Sequence, residues 1–143
     1  MTKLEIMQSW FSRIWEDADV SALDDLLSPE VGADTVFDGV IAPRSELPEL
    51  VKIMHSLVGP MQFSISRCLE DGDWCSIDYE MTADGPGGVT PVRAGGMMMA
   101  RIKDDRIVEM TTKFDGFTLF EQLGQLPSDA LMACLTGQKL RWA

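Results

Sequence analysis

Asp115 has the setting best suited to acid–base chemistry. It ends a strand-like run and stands between Phe114 and Phe117. A carboxylate held among aromatic rings is a usable base or acid near neutrality. The same residue type at the same place also caps a helix starting near Gly116, so Asp115 is either a pocket acid or a cap. Asp78 and Glu80 share one strand face with Trp74, Ser76 and Thr82, and Cys75, Ile77, Tyr79 and Met81 take the other. That acidic face points either into a pocket, where carboxylates would gather, or to solvent, as ordinary surface charge. Arg93 and Arg101 share a face of the next strand with Met97 and Met99. A pocket arginine binds a carboxylate or enolate; an exposed one offsets the acidic strands. His55 is the single histidine, either a proton carrier facing a pocket from a helix or a packing residue. Met97, Met98 and Met99, with Met54, Met61, Met81 and Met110, suit an adaptable apolar cavity or plain core filling.

These residues need a scaffold, and the chain has the means to build one. Its 143 residues fit a single domain, 1–143, and 45% are apolar, which argues against disorder. The formal net charge is −11, so a phosphate backbone would be repelled and nucleic-acid binding is disfavoured. No apolar run reaches the roughly 20 residues that span a bilayer, so no membrane partner is expected. Residues 1–6 show no basic region leading an apolar segment, which predicts no signal peptide and a cytoplasmic chain. One histidine leaves almost no route to an imidazole-rich metal site or a serine–histidine–aspartate triad. No phosphate-binding glycine motif is present, and no cofactor or metal is expected. Cys68 and Cys75 fall opposite each other if their hairpin turns at Asp71-Gly72, which makes a cross-strand disulfide conceivable, although cytosolic thiols are normally reduced.

Hydrophobic spacing predicts the elements. Ile6, Trp10 and Ile14, with Met7 and Phe11 beside them, predict an amphipathic helix over about 3–17. Ser21 caps a short helix carrying Leu23, Leu26 and Leu27 that Pro29 ends. Thr35-Val36-Phe37 reads as a short strand. A third helix starts at Ser45–Pro48 and stops at Gly59-Pro60. The period then changes to two. Strands run from Met61 to Leu69, from Trp74 to Ala83, over about 89–102, and from Ile107 to Phe114. Turns fall at Glu70–Asp73 and Lys103–Arg106. Helical turns over 118–123 and a helix from Ser128 to about Thr136 close the chain. The order is α+β, with helices packed on one face of a curved antiparallel sheet.

Three strings resemble the SnoaL-like branch of the nuclear-transport-factor-2-like superfamily. They are Trp15-Glu16-Asp17-Ala18-Asp19 with Leu23 and Leu26-Leu27, the hairpin 101–109, and the closing segment Phe114-Asp115-Gly116-Phe117-Thr118-Leu119-Phe120-Glu121-Gln122-Leu123-Gly124. The resemblance covers about 3–127 and leaves the tail from Ser128 unmatched. It implies a cone-shaped half-barrel, a strongly curved, mostly antiparallel sheet with three N-terminal helices over its concave face and an apolar pocket inside. Relatives include polyketide cyclases, ketosteroid isomerases and limonene-epoxide hydrolases, but also binding modules, so the fold does not settle function.

The resemblance implies catalytic roles for Asp115, where cyclases place a pocket aspartate, and for Asp38, where the isomerases place the proton-shuttling one. Asp38 before Gly39 is equally a turn aspartate. Phe11 stands where the isomerases carry an oxyanion-binding tyrosine, and Met98 near their protonated aspartate, so steroid isomerase chemistry lacks its donors. Asp78 stands where the epoxide hydrolases carry an arginine, which abolishes their arrangement unless Arg93 or Arg101 supplies the charge from a neighbouring strand. Trp10, Phe11, Trp15, Phe37, Phe63 and Phe114 are candidates for the lining. His55, Asp78, Glu80, Arg93, Met97, Met99 and Arg101 complete the candidate substrate-binding set. The expected partner is a small apolar or polycyclic molecule, with a second copy of the chain on the outer sheet face. The expected function is binding, with isomerase, cyclase, hydratase or epoxide-hydrolase chemistry; the alternative is a non-catalytic ligand-binding or dimerisation module. A third option uses the tail, with Trp142, as an interaction motif.

Overall fold

The computed structural model describes residues 1–29, 31 and 44–141. The expected strand at 35–37, Phe37, Asp38 and Trp142 lie outside them. Helix α1 (Lys3–Ser9) opens on a capping box: the Thr2 hydroxyl accepts from the Glu5 N–H, and the Glu5 carboxylate accepts from the Thr2 N–H. The chain does not continue as one α-helix to residue 17. From Trp10 to Glu16 it widens into a π-helix, marked by the i+5 bond from Asp17 N–H to the Ser12 carbonyl. Trp10, Phe11, Ile14 and Trp15 are all buried. Their spacing suits an α-helix or a π-helix equally. The wide turn lets two adjacent pairs of large side chains face inward together.

Helix α2 (Ala22–Leu26) follows. Ser21 makes no side-chain cap bond; it donates instead to Asp19, from both its N–H and its hydroxyl. Helix α3 (Leu47–Val58) has a proline in its first turn and stops at Gly59. It buries Leu47, Val51, Met54 and Val58. Arg44 ties the start of this region to α2, donating to the Ser28 and Leu23 carbonyls and to Asp24.

Four antiparallel strands follow in sequence order: β1 (Met61–Asp71), β2 (Trp74–Ala83), β3 (Val92–Lys103) and β4 (Arg106–Phe114). The β3–β4 hairpin turns on Asp104 and Asp105, both at positive φ, as a two-residue turn matched to strand twist requires. The β1–β2 turn falls one residue later than expected, so Cys68 opposes Ile77 and Cys75 opposes Glu70. A bulge between Ile65 and Arg67 bends β1. Helices α4 (Gly116–Gln122) and α5 (Ala130–Leu135) complete the fold. Asp129, not Ser128, holds the position before α5, and it makes no side-chain cap bond.

One sheet face is buried under the helices. β2 alternates strictly, with Cys75, Ile77, Tyr79, Met81 and Ala83 inward, and β3 presents Val92, Ala94, Met98, Ala100 and Ile102 to the same core. Among the described residues no helix is long and apolar enough to cross a membrane. The result is an α+β cone: a curved open sheet with its concave side covered.

Candidate functional site

The cone closes around an apolar cavity of about 20 Å³. The π-helical segment supplies Trp10, Phe11 and Trp15, α3 supplies Met54, and the sheet supplies Met61, Phe63, Tyr79, Met81, Met98, Thr112 and Phe114. Phe63 stacks on Phe11 with centroids 4.6 Å apart, and Phe11 meets Tyr79 at 4.7 Å. Tyr79 stacks parallel to Phe114 at 6.4 Å. The four rings form a row across the cavity. Such a space holds about one water molecule, and four methionines in its wall can change shape to enlarge it.

Three polar groups interrupt the apolar wall. The Trp10 indole N–H is fully buried and has no hydrogen-bond partner among the described residues. The indole can only donate. Tyr79 is also buried, and burial pushes its phenol well above the usual range, so it stays protonated and able to donate. Thr112 is the third and is itself partnered. None of the lining residues named above is an acid or a histidine. The chemistry this arrangement offers is hydrogen-bond donation to an acceptor inside an aromatic box.

Several expected site residues lie elsewhere. Asp115 is exposed and caps α4: its Oδ1 accepts from the Thr118 N–H at 3.0 Å and its Oδ2 from the Thr118 hydroxyl. The competing reading of this residue, the cap, is the one its bonds satisfy. His55 is half-buried on α3, where its Nε2–H donates to the Trp15 carbonyl. It braces the π-helical segment from outside the cavity.

Asp78, Glu80, Arg93, Met97, Met99 and Arg101 project from the outer face of the sheet, correcting the expectation that they line the pocket. The reason is alternation. Tyr79 and Met98 point in, so their chain neighbours point out. Met97 and Met99 are 58% and 51% exposed. Arg93 lies 3.4 Å from Glu80. Arg101 donates from Nε to Glu109 at 3.0 Å and extends over the Trp74 ring, 6.0 Å from its centroid. Of the expected lining, Trp10, Phe11, Trp15, Phe63 and Phe114 come together; Phe37 and the expected catalytic Asp38 lie outside the described residues. Tyr79 and Thr112 were missed as pocket residues. Tyr79 was legible as the one aromatic on the apolar face of β2 and as the chain's single tyrosine.

A polar groove adjoins the cavity at Met61, lined by Glu16, Asp17, Gln62, Asp84 and Arg93 among others. Burial pushes the Glu16 carboxyl above its usual range, and Asp17 adds to this. The Phe63 backbone N–H pulls it partly back.

Known structures share this architecture. A putative polyketide cyclase from Streptomyces antibioticus, IdmH, superposes with a TM-score of 0.72 at 18% identity, covering 87% of this chain and 99% of its own. A putative polyketide cyclase from Acidithiobacillus ferrooxidans gives 0.67 at 18%, covering 85% and 93%. A protein of ketosteroid isomerase-like fold from Catenulispora acidiphila, solved in complex with trimethylamine, gives 0.70 at 19%, covering 90% and 98%. At these identities the likeness establishes the fold. No curated protein sequence matches the chain at a significant level. The sequence profile of the SnoaL-like domain matches residues 7–110, and the chain therefore belongs to the SnoaL-like family, within the nuclear-transport-factor-2-like superfamily.

Proposed function

We propose that this SnoaL-like chain binds a small, mostly apolar molecule carrying a hydrogen-bond-accepting oxygen in the cavity between the π-helical segment and the sheet. The observation that carries this reading is the Trp10 indole N–H. It is buried, it can only donate, and it belongs to a side chain of the cavity wall. Leaving a buried donor unsatisfied costs about 1–3 kcal/mol. A water can occupy the cavity in the free protein, and a ligand oxygen replaces it on binding. Tyr79, kept protonated by burial, offers a second donor. The rings of Phe11, Phe63, Tyr79 and Phe114 suit a flat apolar body.

A ligand larger than water must displace wall residues, and Met54, Met61, Met81 and Met98 are the side chains able to yield. The relatives named as polyketide cyclases, and the one solved with trimethylamine, are in keeping with small-molecule binding in this fold. The outer sheet face, with Met97 and Met99, is assigned to a second copy of the chain.

Isomerisation, cyclisation or hydration would also need a group that moves a proton. Asp115 is bonded as a cap, and Asp38 is the carboxylate to which the family resemblance gives that role. Without it, the same cavity serves a binding module.

The test is an NMR titration of the ¹⁵N-labelled protein with acetophenone and 2-acetonaphthone, against naphthalene as the oxygen-free control. The Trp10 indole N–H proton should move downfield with the ketones, as a new hydrogen bond requires, and not downfield with naphthalene, and Trp10→Phe should weaken ketone binding about tenfold, equivalent to roughly 1.4 kcal/mol. Equal binding of ketone and hydrocarbon, or of wild type and W10F, would overturn the reading. Deuterium exchange beside the ketone carbonyl reports on turnover. Exchange lost in D38N supports catalysis, and no exchange above buffer supports the binding module.

A further inference from the structure

Two thiols sit together at the end of the sheet away from the cavity. Cys68 on β1 opposes Ile77, and Cys75 on β2 opposes Glu70, so the cysteines are diagonal neighbours across one antiparallel pair. They share the inner face: Cys75 and Ile77 are both buried there, and Cys68 stands directly across from Ile77. Both cysteines are free, and the two thiols are close enough for each to affect the other's titration. Their exposure differs. Cys75 is 1% exposed, whereas Cys68 is partly open to solvent. Cys134, the third cysteine, is exposed on α5.

We propose that Cys68 and Cys75 form a modification site, a dithiol that low-molecular-weight disulfides convert to an intramolecular disulfide bridging β1 and β2. Diagonal cross-strand residues start about 7–8 Å apart at Cα, a little beyond the roughly 4.4–6.8 Å that disulfides span. β1 can make up the difference. Among the described residues it is an edge strand, bonded only to β2, and its bulge between Ile65 and Arg67 already bends the segment that carries Cys68.

The order of steps follows from exposure. The Cys68 thiolate, having given its proton to solvent, attacks one sulfur of oxidised glutathione. A Cys68–glutathione bond forms, the glutathione S–S bond breaks, and one glutathione thiolate leaves and takes up a proton. Cys75, deprotonated in turn, attacks the Cys68 sulfur, and the second glutathione leaves. Two protein thiols lose two electrons, and one disulfide is reduced to two thiols. Burial holds both thiols above their usual range, Cys75 at about 11. Exchange is therefore slow and quickens as pH rises.

The test uses the full-length Cys134→Ser protein in mixtures of reduced and oxidised glutathione. Samples are acid-quenched, alkylated and analysed by intact mass and peptide mapping. The expected product has lost two hydrogens and carries a peptide cross-link between Cys68 and Cys75. C75S in the same background should stop at a glutathione adduct on Cys68, and C68S should stay unmodified. Circular dichroism on each variant checks folding, but the wild-type pair decides the matter by itself. Stable glutathione adducts on the native chain with no cross-link, or no reaction of either thiol under strongly oxidising mixtures, would overturn the proposal.

Discussion

The Tyr79 side chain lies across Gly96 of the neighbouring strand, in direct register with it. A Cβ at position 96 would stand 2.6 Å from the Tyr79 hydroxyl oxygen, 2.7 Å from its ring carbon Cζ and 2.9 Å from the Lys113 carbonyl oxygen. The missing side chain on β3 is therefore what lets the tyrosine ring lie down over the sheet and join the row from Phe63 to Phe114. Gly96→Ala should destabilise the protein by about 1–3 kcal/mol, the usual cost of overpacking. It should also shift the Tyr79 ring resonances and weaken ketone binding. Thermal melts and the same NMR titration check this. A variant as stable as wild type, with unmoved Tyr79 signals, would show that the ring does not depend on the gap.

Asp115 behaves as a cap in its bonds, and its substitution should behave the same way. Asp115→Ala removes acceptors from the Thr118 N–H and hydroxyl. The expected loss is about 0.5–2 kcal/mol of stability, while ketone affinity stays within twofold of wild type. Asp115→Asn, which still accepts from the N–H, should recover most of the stability. If D115A keeps its stability but loses ligand affinity, the residue acts on the ligand and the cap reading fails.

These residues also show what the sequence does and does not make legible. The two faces of β2 are legible, because Cys75, Ile77, Tyr79 and Met81 alternate cleanly with polar neighbours, but the alternation leaves open which of them points inward. On β3 the pattern misleads. There, methionines and arginines share the outer face, while the inner face carries small residues, Ala94, Gly96 and Ala100, that make room for large rings from elsewhere. A pattern of small residues inward reads as weakly hydrophobic until its partners are known. Trp10, Phe11, Ile14 and Trp15 were legible as a buried stripe, but their spacing does not separate α from π winding. At Asp115 the cap and the catalyst need the same residue type, and only the bonds to Thr118 distinguish them.

The outer face of the sheet gives a third prediction. Met97 and Met99 are exposed on the same sheet face as Leu69, 71% exposed, and Trp74. Around them the charges are paired, Arg101 with Glu109 and Arg93 with Glu80. A surface carrying both signs around an apolar centre is not self-repelling, unlike much of a chain with a net charge of −11. Sedimentation should find a dimer for the wild type and a monomer for the M97E/M99E double variant, with secondary structure unchanged. A monomeric wild type, or a double variant that stays dimeric, would remove this face from the interface.

Glu16 gives the pH dependence. Burial and the neighbouring Asp17 hold its carboxyl above the usual range in the folded chain. The folded state therefore binds this proton more tightly than the unfolded state. Stability falls as pH rises from the unfolded value, about 4.3, through the raised folded value, and the cost of the ionised carboxylate is fully present above it. Asp19 runs the other way. The Ser21 hydroxyl and Arg13 hold it low, so its contribution is present above its unfolded value and is lost as pH falls through the lowered folded one. Comparing wild type with Glu16→Gln cancels the Asp19 part, since both proteins keep it. The glutamine oxygen can still accept from the Phe63 N–H. Glu16→Gln should therefore melt higher than wild type at neutral pH, and the gap should close as pH drops below the unfolded carboxyl value. A difference in melting temperature that does not change with pH would mean that Glu16 is as well solvated in the folded chain as in the unfolded one.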